Sequence, residues 1–386
     1  MTSGRGPHLA VALDGAGWHP AAWREPDARP AELFTAGYWA DLVREAEAAT
    51  LDFVTIEDAL GVQAARADGP DERVDQVRGR LDAVLIAARV APLTRHIGLV
   101  PTATVTHTEP FHIAKAIATL DFASTGRAGW RVQVSGRPHE AKHFGRREIP
   151  DRIGPDLVTD LFDEATDYVE VVRRLWDSWE DDAEIRDAAT GRFVDRDKLH
   201  YVDFESGWFR IRGPSIVPRP PQGQPPVTAL AHTEVPYRFA AGATDLVYTT
   251  PSDVDSAALV ARRFDAPPLV FADLVVFLDG TPSRATDRKK RLDAWDGAPY
   301  ASDAAVFTGT PAQLADVLLD WHAAGIAGFR LRPGAIPHDL TAITRGLVPE
   351  LRRRGAFRRE YEATTLRGLL GLPRPANRYS TVEGAR

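Results

Sequence analysis

The chain has 386 residues, 44% of them hydrophobic, and a formal net charge of −7. That length suits one large α/β domain or two small ones, and the acidic balance argues against a general nucleic-acid binder. Cysteine is absent, which excludes disulfides, thiolate catalysis and cysteine-based metal sites.

Strand-like and helix-like stretches alternate from end to end. HLAVALD (His8 to Asp14) reads as a first strand and YWADLVREAEAA (Tyr38 to Ala49) as a first helix. DFVTIED (Asp52 to Asp58) is a second strand, followed by the helix LDAVLIAARVA (Leu81 to Ala91). The next segment, His96 to Ser135, holds a complete βαβ unit. IGLVPTATV is apolar and β-branched, as a buried parallel strand requires. FHIAKAIATLDF places Phe111, Ala114, Ala118 and Phe122 on one helical face. STGR closes that helix, and WRVQVS alternates Trp130, Val132 and Val134 with Arg131, Gln133 and Ser135. In a barrel ringed by helices the apolar set packs outward and the polar set points inward.

A long amphipathic helix is expected from Asp160 to Trp179, then strands at Val227 to Ala231, Asp245 to Tyr248 and Val270 to Leu278. AQLADVLLDWHAA (Ala312 to Ala324) is a helix ending at Gly325. GFRLRP is a strand and HDLTAITRGLVPELRRRG a last helix. Repeated βα units predict a parallel sheet, and about eight of them a closed (β/α)8 barrel. Two insertions interrupt the rhythm: a polar loop at 136–155, and a Pro-rich stretch at 180–226 with a β-hairpin signature around Glu205, Ser206 and Gly207. Loops this long usually serve as functional covers.

No GxGxxG follows a strand and no GxxxxGK[ST] occurs, so neither a Rossmann fingerprint nor a P-loop is present. Nor does any HExxH or paired His/carboxylate cluster suggest a metal. His139 and His143 share a helical spacing, but Pro138 puts them in an expected loop. The start, MTSGRGPHLAVALDGAG, lacks a long apolar h-region, and no apolar run approaches the ~20 residues that span a bilayer. The expectation is a soluble cytoplasmic protein.

Barrel enzymes work at the C-terminal ends of their strands. Asp14, Glu57 and Asp58 end the first two strands, and Thr102, Thr104 and Thr106 alternate along the third, with His107 after them. Arg131, Gln133 and Ser135 line the fourth; Arg330 and Arg332 share a face of the last. These are candidate ligand contacts. The competing reading is an internal ion pair such as Glu57 with Arg131 or Arg330. His19 and His232 lie in loops and are expected to face solvent.

The chain resembles the bacterial luciferase-like flavin monooxygenases, in the branch with nitrilotriacetate, dibenzothiophene-sulfone and long-chain alkane monooxygenases. The resemblance runs nearly end to end through YWADLVREAEAATLDFVTIEDALG, ATLDFASTGRAGW, HFG, LWDSWEDDA, GTPAQLADVLLDW, GFRLRP and LVPELRRRGAFRREYEATTLRGLLGLPRP. It implies one barrel domain over 1–386, with a C-terminal extension at 356–386. It further implies reduced FMN delivered by a separate flavin reductase, oxygen activated as a flavin C4a-hydroperoxide, and a homo-oligomer. Asp58 matches the family aspartate near the flavin ring, and Thr102 and Thr104 lie on the strand flanking it. Departures accompany these matches. Arg131 replaces the family asparagine after Trp130, Phe162 a phosphate-contacting tyrosine, and Arg330 an asparagine of the last strand. Ala229–Thr233 keeps a hydroxyl only at Thr233 where the family has Gln-Ala-Gly-x-Ser.

The resemblance therefore assigns Asp58, Thr102, Thr104, Arg131, Gln133, Ser135 and Thr233 to the cofactor. It makes His139, His107 or His232 a proton donor or acceptor. Arg131 either grips the phosphate bidentately or faces the ring and stabilises anionic reduced flavin. The more charged mouth implies a polar or anionic substrate. Two alternatives stay open: a deazaflavin-dependent oxidoreductase on the same fold, and a barrel that has lost flavin and only binds ligands.

Overall fold

The computed structural model describes residues 6–64, 69, 71–264 and 268–380. Eight parallel strands close into a barrel: β1 (His8–Leu13), β2 (Phe53–Ile56), β3 (Gly98–Thr104), β4 (Trp130–Gln133), β5 (Val227–Leu230), β6 (Leu246–Thr249), β7 (Leu269–Leu278) and β8 (Gly328–Pro333). Each pairs with the next, and β8 returns to β1 with His8 opposite Gly328. Every barrel strand expected from the sequence is present. A ninth strand, Ala305–Gly309, pairs in parallel with the upper half of β7 outside the closed ring; the sequence reading did not anticipate it.

The alternation in β4 decides how the wall is used. Trp130 packs outward among Tyr168, Val172 and Trp176 of the 23-residue helix Pro155–Asp177, while Arg131 and Gln133 turn inward. At the N-terminal end the interior is apolar: Ala10, Phe53, Val100, Leu246 and Phe271 form one cluster with Leu366 and Leu370. The short helix Leu366–Leu369 thus plugs the barrel floor from the C-terminal segment. Gly98 makes room for it, since a Cβ there would sit 2.6 Å from Leu366 Cδ1.

Outside the ring, the expected outer helices appear with shifted ends. The Asp160–Trp179 helix starts earlier, at Pro155, because proline fits the first helical position. Helices Glu234–Ala243, Val254–Ala261 and Pro282–Asp296 were not anticipated. The last of these, PSRATDRKKRLDAWD, has too few apolar residues to display a helical stripe. The polar stretch at 136–155 is not all loop. Pro138–Phe144 forms a short helix with Pro138 in its first turn and Gly145 closing it in the left-handed region, φ +64°. Within 180–226 the expected hairpin pairs Phe204–Glu205 with Arg210–Ile211, and a second one pairs Glu184–Asp187 with Arg192–Val194. Among the described residues, no helix is long and apolar enough to cross a membrane.

Candidate active site

Above the apolar floor, charged side chains from β2, β4, β7 and β8 meet in the barrel centre. Glu57, just past β2, takes Arg131 at 3.0 Å and Arg330 at 3.1 Å. Arg330 also donates through Nε to Asp273 at 2.9 Å, and its guanidinium lies 4.0 Å from the Tyr248 ring centroid. Arg332 donates to Asp273 at 2.9 Å and to Asp303 at 2.6 Å. The internal ion pairs named as the competing reading are therefore present. Burial by itself would raise the carboxyl groups of Glu57 and Asp273, but the surrounding guanidiniums outweigh it and hold both below the usual carboxylate range. Arg131 goes the other way: burial, helped by the Arg330 charge, leaves it below the ordinary guanidinium range.

Two cavities open above this layer, at the C-terminal ends of the strands. The larger, about 500 Å³, lies over β4 and β5 and is bounded by Arg131, Ser135, Phe162, Ala229, His232 and Thr233. The smaller, about 320 Å³, lies over β1 and β2 and is bounded by Asp14, Trp18, Asp58, Gln63, Arg80 and His139. Gln133 and Arg137 line both, so the two spaces meet there.

The residues expected at the site divide accordingly. Arg131, Gln133, Ser135, His232 and Thr233 border the larger cavity; Asp58 and His139 border the smaller. Asp58 is fixed by backbone donors, Ala59 at 2.8 Å and Ala83 at 3.0 Å, and burial raises its carboxyl. The His139 ring packs against bare backbone, since a Cβ on Gly61 would lie 2.8 Å from its Nε2. Its Nδ1 is buried without a hydrogen-bond partner among the described residues.

Thr102, Thr104 and His107 border neither cavity. Thr102 Oγ1 instead accepts from Arg131 Nη1 at 3.1 Å. His107, at φ +73°, stacks on Phe144 with ring centroids 5.4 Å apart. Burial and the Arg147 charge lower its pKa. His232 is exposed as expected, but His19 is not: it is 1% exposed, bonded to Asp293 at 3.1 Å. Its partner lies on the helix Pro282–Asp296, whose lack of an apolar stripe hides it from a reading of the sequence. The Asp14–Arg80 pair at 3.0 Å was also unforeseen, because Arg80 lies in a stretch with no periodic pattern. Among the described residues, no group of three or more His, Asp or Glu side chains is placed to hold a metal.

Would a flavin mononucleotide fit the larger cavity? Its volume is within the range of small-molecule sites. At its rim, Thr233 begins the helix Glu234–Ala243 without making a side-chain cap bond, so the open N–H groups and the positive helix end are available to an anion. Glu234 in that first turn opposes an anion, but it is neutralised by Arg263. Beneath the cavity, Arg131 Nε is buried and has no hydrogen-bond partner among the described residues. The residues present fit the group.

A family model described as luciferase-like monooxygenase matches residues 17–328. The chain belongs to that family. Nitrilotriacetate monooxygenase component A of Aminobacter aminovorans is 30% identical over 98% of this chain and 99% of its own length. N-acetyl-S-(2-succino)cysteine monooxygenase of Bacillus subtilis is 29% identical over 96% and 98%. The first of these alignments spans 453 positions, more than this chain has residues, so the relative carries stretches without a counterpart here. Among solved structures, a long-chain alkane monooxygenase matches with TM-score 0.85 at 24% identity, covering 96% of both chains. That likeness bears on the fold, a closed (β/α)8 barrel. Family membership makes the protein an oxidoreductase of the flavin-dependent monooxygenase type.

Proposed function

We propose that the protein is a two-component monooxygenase that takes reduced FMN from a separate reductase and oxygenates a small, polar, carboxylate-bearing molecule. The observation that carries this is the pair of cavities meeting at Gln133 and Arg137 at the barrel mouth: one has a bare helix start for a phosphate, the other room for a second molecule. When bound, the reduced flavin supplies the electrons that activate dioxygen.

The chain's own residues do the rest. Thr233 and the first turn behind it hold the phosphate, and Arg131, Gln133 and Ser135 hold the ring. Asp58, fixed by its two backbone donors, marks the wall of the substrate cavity. His139, which borders that cavity and whose buried Nδ1 has no hydrogen-bond partner among the described residues, holds or accepts a proton there. Ser135 donates to Glu140 at 2.5 Å, and Glu140 also accepts from Arg137 at 3.2 Å; this pins the junction between the cavities.

A polar substrate is favoured because Arg137, Gln63 and Gln76 line the smaller cavity beside the Asp14–Arg80 pair, Glu57 and Asp58. Two relatives, moreover, are named for carboxylates, nitrilotriacetate and N-acetyl-S-(2-succino)cysteine. Oxygen uptake with a flavin reductase, NADH and FMN tests the reading against a panel of amino- and thioether carboxylates beside linear alkanes. Substrate-dependent uptake with a carboxylate supports it. Turnover of alkanes with none of carboxylates sinks the substrate class, and turnover without oxygen uptake points to the deazaflavin chemistry.

A further inference from the structure

The central ion layer is short of negative charge on the side that faces the larger cavity. Three guanidiniums, Arg131, Arg330 and Arg332, share two carboxylates inside the barrel, Glu57 and Asp273. The third carboxylate, Asp303, sits at the rim with its side chain 43% exposed, and it bonds Arg332, on the far side from Arg131. Buried charge is costly unless it is matched, and Arg131 is the cation left with the least. Its Nη1 is taken by Glu57, Thr102 and Gln133. The opposite edge, Nε with Nη2, makes no hydrogen bond to a described residue, and Nε is fully buried. That is the edge with which arginine grips a pair of acceptors side-on.

Gln133 fixes this orientation. Because Arg131 can only donate, the Gln133 carbonyl oxygen must face it, at 3.3 Å. The guanidinium is thus held by Glu57, Thr102 and Gln133 on one side, while its other edge is unbonded among the described residues, in a side chain that borders the larger cavity.

We propose that the open edge of Arg131 receives the negatively charged pyrimidine edge of reduced flavin, so that this residue makes the site prefer the reduced over the oxidised cofactor. Reduced flavin carries its charge across a ring nitrogen and the adjacent carbonyl oxygen, two acceptors side by side, whereas the oxidised ring is neutral. The inference rests on flavin occupying the larger cavity and deepens that reading. It assigns Arg131 to the ring and leaves the phosphate to Thr233.

Anaerobic titration of the purified protein with oxidised and with reduced FMN, followed by fluorescence quenching and by the midpoint potential of the bound cofactor, tests it. The wild type is expected to bind reduced FMN at least tenfold more tightly than oxidised FMN. That ratio raises the two-electron potential by about 30 mV per tenfold. Arg131→Gln should lose the preference while its affinity for oxidised FMN changes less than threefold, and Arg131→Lys should keep part of it. The double variant Glu57→Gln/Arg131→Gln, which leaves no uncompensated carboxylate, should behave as Arg131→Gln does and guards against misfolding. Riboflavin should show the same preference as FMN.

Equal loss of both redox forms in Arg131→Gln would make the residue merely structural and overturn the proposal. A preference seen with FMN but not riboflavin would place Arg131 at the phosphate and overturn it too. An unchanged ratio in every variant refutes the inference while flavin binding stands. Failure of the wild type to bind either form removes the reading beneath it as well.

Discussion

The two ends of the barrel are built from the same eight strands with the same inward alternation, yet they have opposite chemistry. At the N-terminal end, Phe53, Val100, Leu246 and Phe271 close on Leu366 and Leu370 with no charge among them. Two to four residues further along β2, β3 and β7, and on β4 and β8, stand Glu57, Thr102, Asp273, Arg131 and Arg330, all buried and joined in one ionic layer. Hydrophobic burial alone would stabilise both ends, as it does the floor. The ionic layer gains little net stability over an apolar filling of similar volume. The comparison therefore teaches that the mouth keeps its charges for what binds above them, while the floor and its C-terminal plug keep the barrel shut.

Breaking the ionic layer at its most connected point should have the largest effect. Asp273 receives both Arg330 and Arg332 at 0% exposure. Asp273→Asn leaves two buried guanidiniums undercompensated and is expected to cost about 3–5 kcal/mol, read from urea denaturation midpoints. A cost under about 1 kcal/mol would show that the layer relaxes or admits water.

Truncating the floor comes next. Leu366→Ala removes the side chain that fills the space left by Gly98 and is expected to cost about 2–4 kcal/mol. Flavin affinity, measured on the same samples, should not move, because Leu366 borders neither cavity. A parallel loss of both would dissolve the distinction between the two ends.

The smallest effect is in acid. Glu57, Asp273 and Asp303 all have carboxyl groups held below the ordinary range, Asp303 at about 2. Burial pushes each up, but the arginines win. Groups with depressed folded-state values bind fewer protons folded than unfolded, so their stabilisation is present above the ordinary carboxylate range and fades as pH falls toward 2. The contribution of these three groups to thermal melting should therefore be lost below about pH 4. Asp303→Asn should make that loss shallower, though modestly, since its partly exposed carboxylate is screened by water.

Much of this was legible in the sequence, and what was not has identifiable causes. Alternation in WRVQVS placed Arg131 and Gln133 inside the barrel and Trp130 outside, because period two is a property of the strand itself. Glu57 could be named as an ionic partner since it sits at a strand end beside other inward charges. Asp273 was missed although it is the one charge in LVFADLVVFL; an acid within an apolar strand marks a buried cation partner, and Arg330 and Arg332 were already in view. The charged helix Pro282–Asp296 escaped for want of an apolar stripe, and with it the partner that buries His19. Thr102 reads from the sequence as a cofactor contact, whereas its hydroxyl accepts from Arg131; which neighbour it serves depends on side-chain packing that no spacing encodes. Pro138 reads as a sign of loop where it opens a helix turn, an ambiguity inherent in proline.

The central claim, that the larger cavity seats FMN with its phosphate at the start of the helix Glu234–Ala243, is tested most directly by Thr233→Asp. Aspartate is as good a cap as threonine or better, so the helix should hold, while its carboxylate occupies the anion position. We expect FMN affinity to fall at least tenfold and riboflavin affinity to stay within about twofold of the wild type. An unchanged affinity for FMN, or an equal loss for both ligands, would contradict the account.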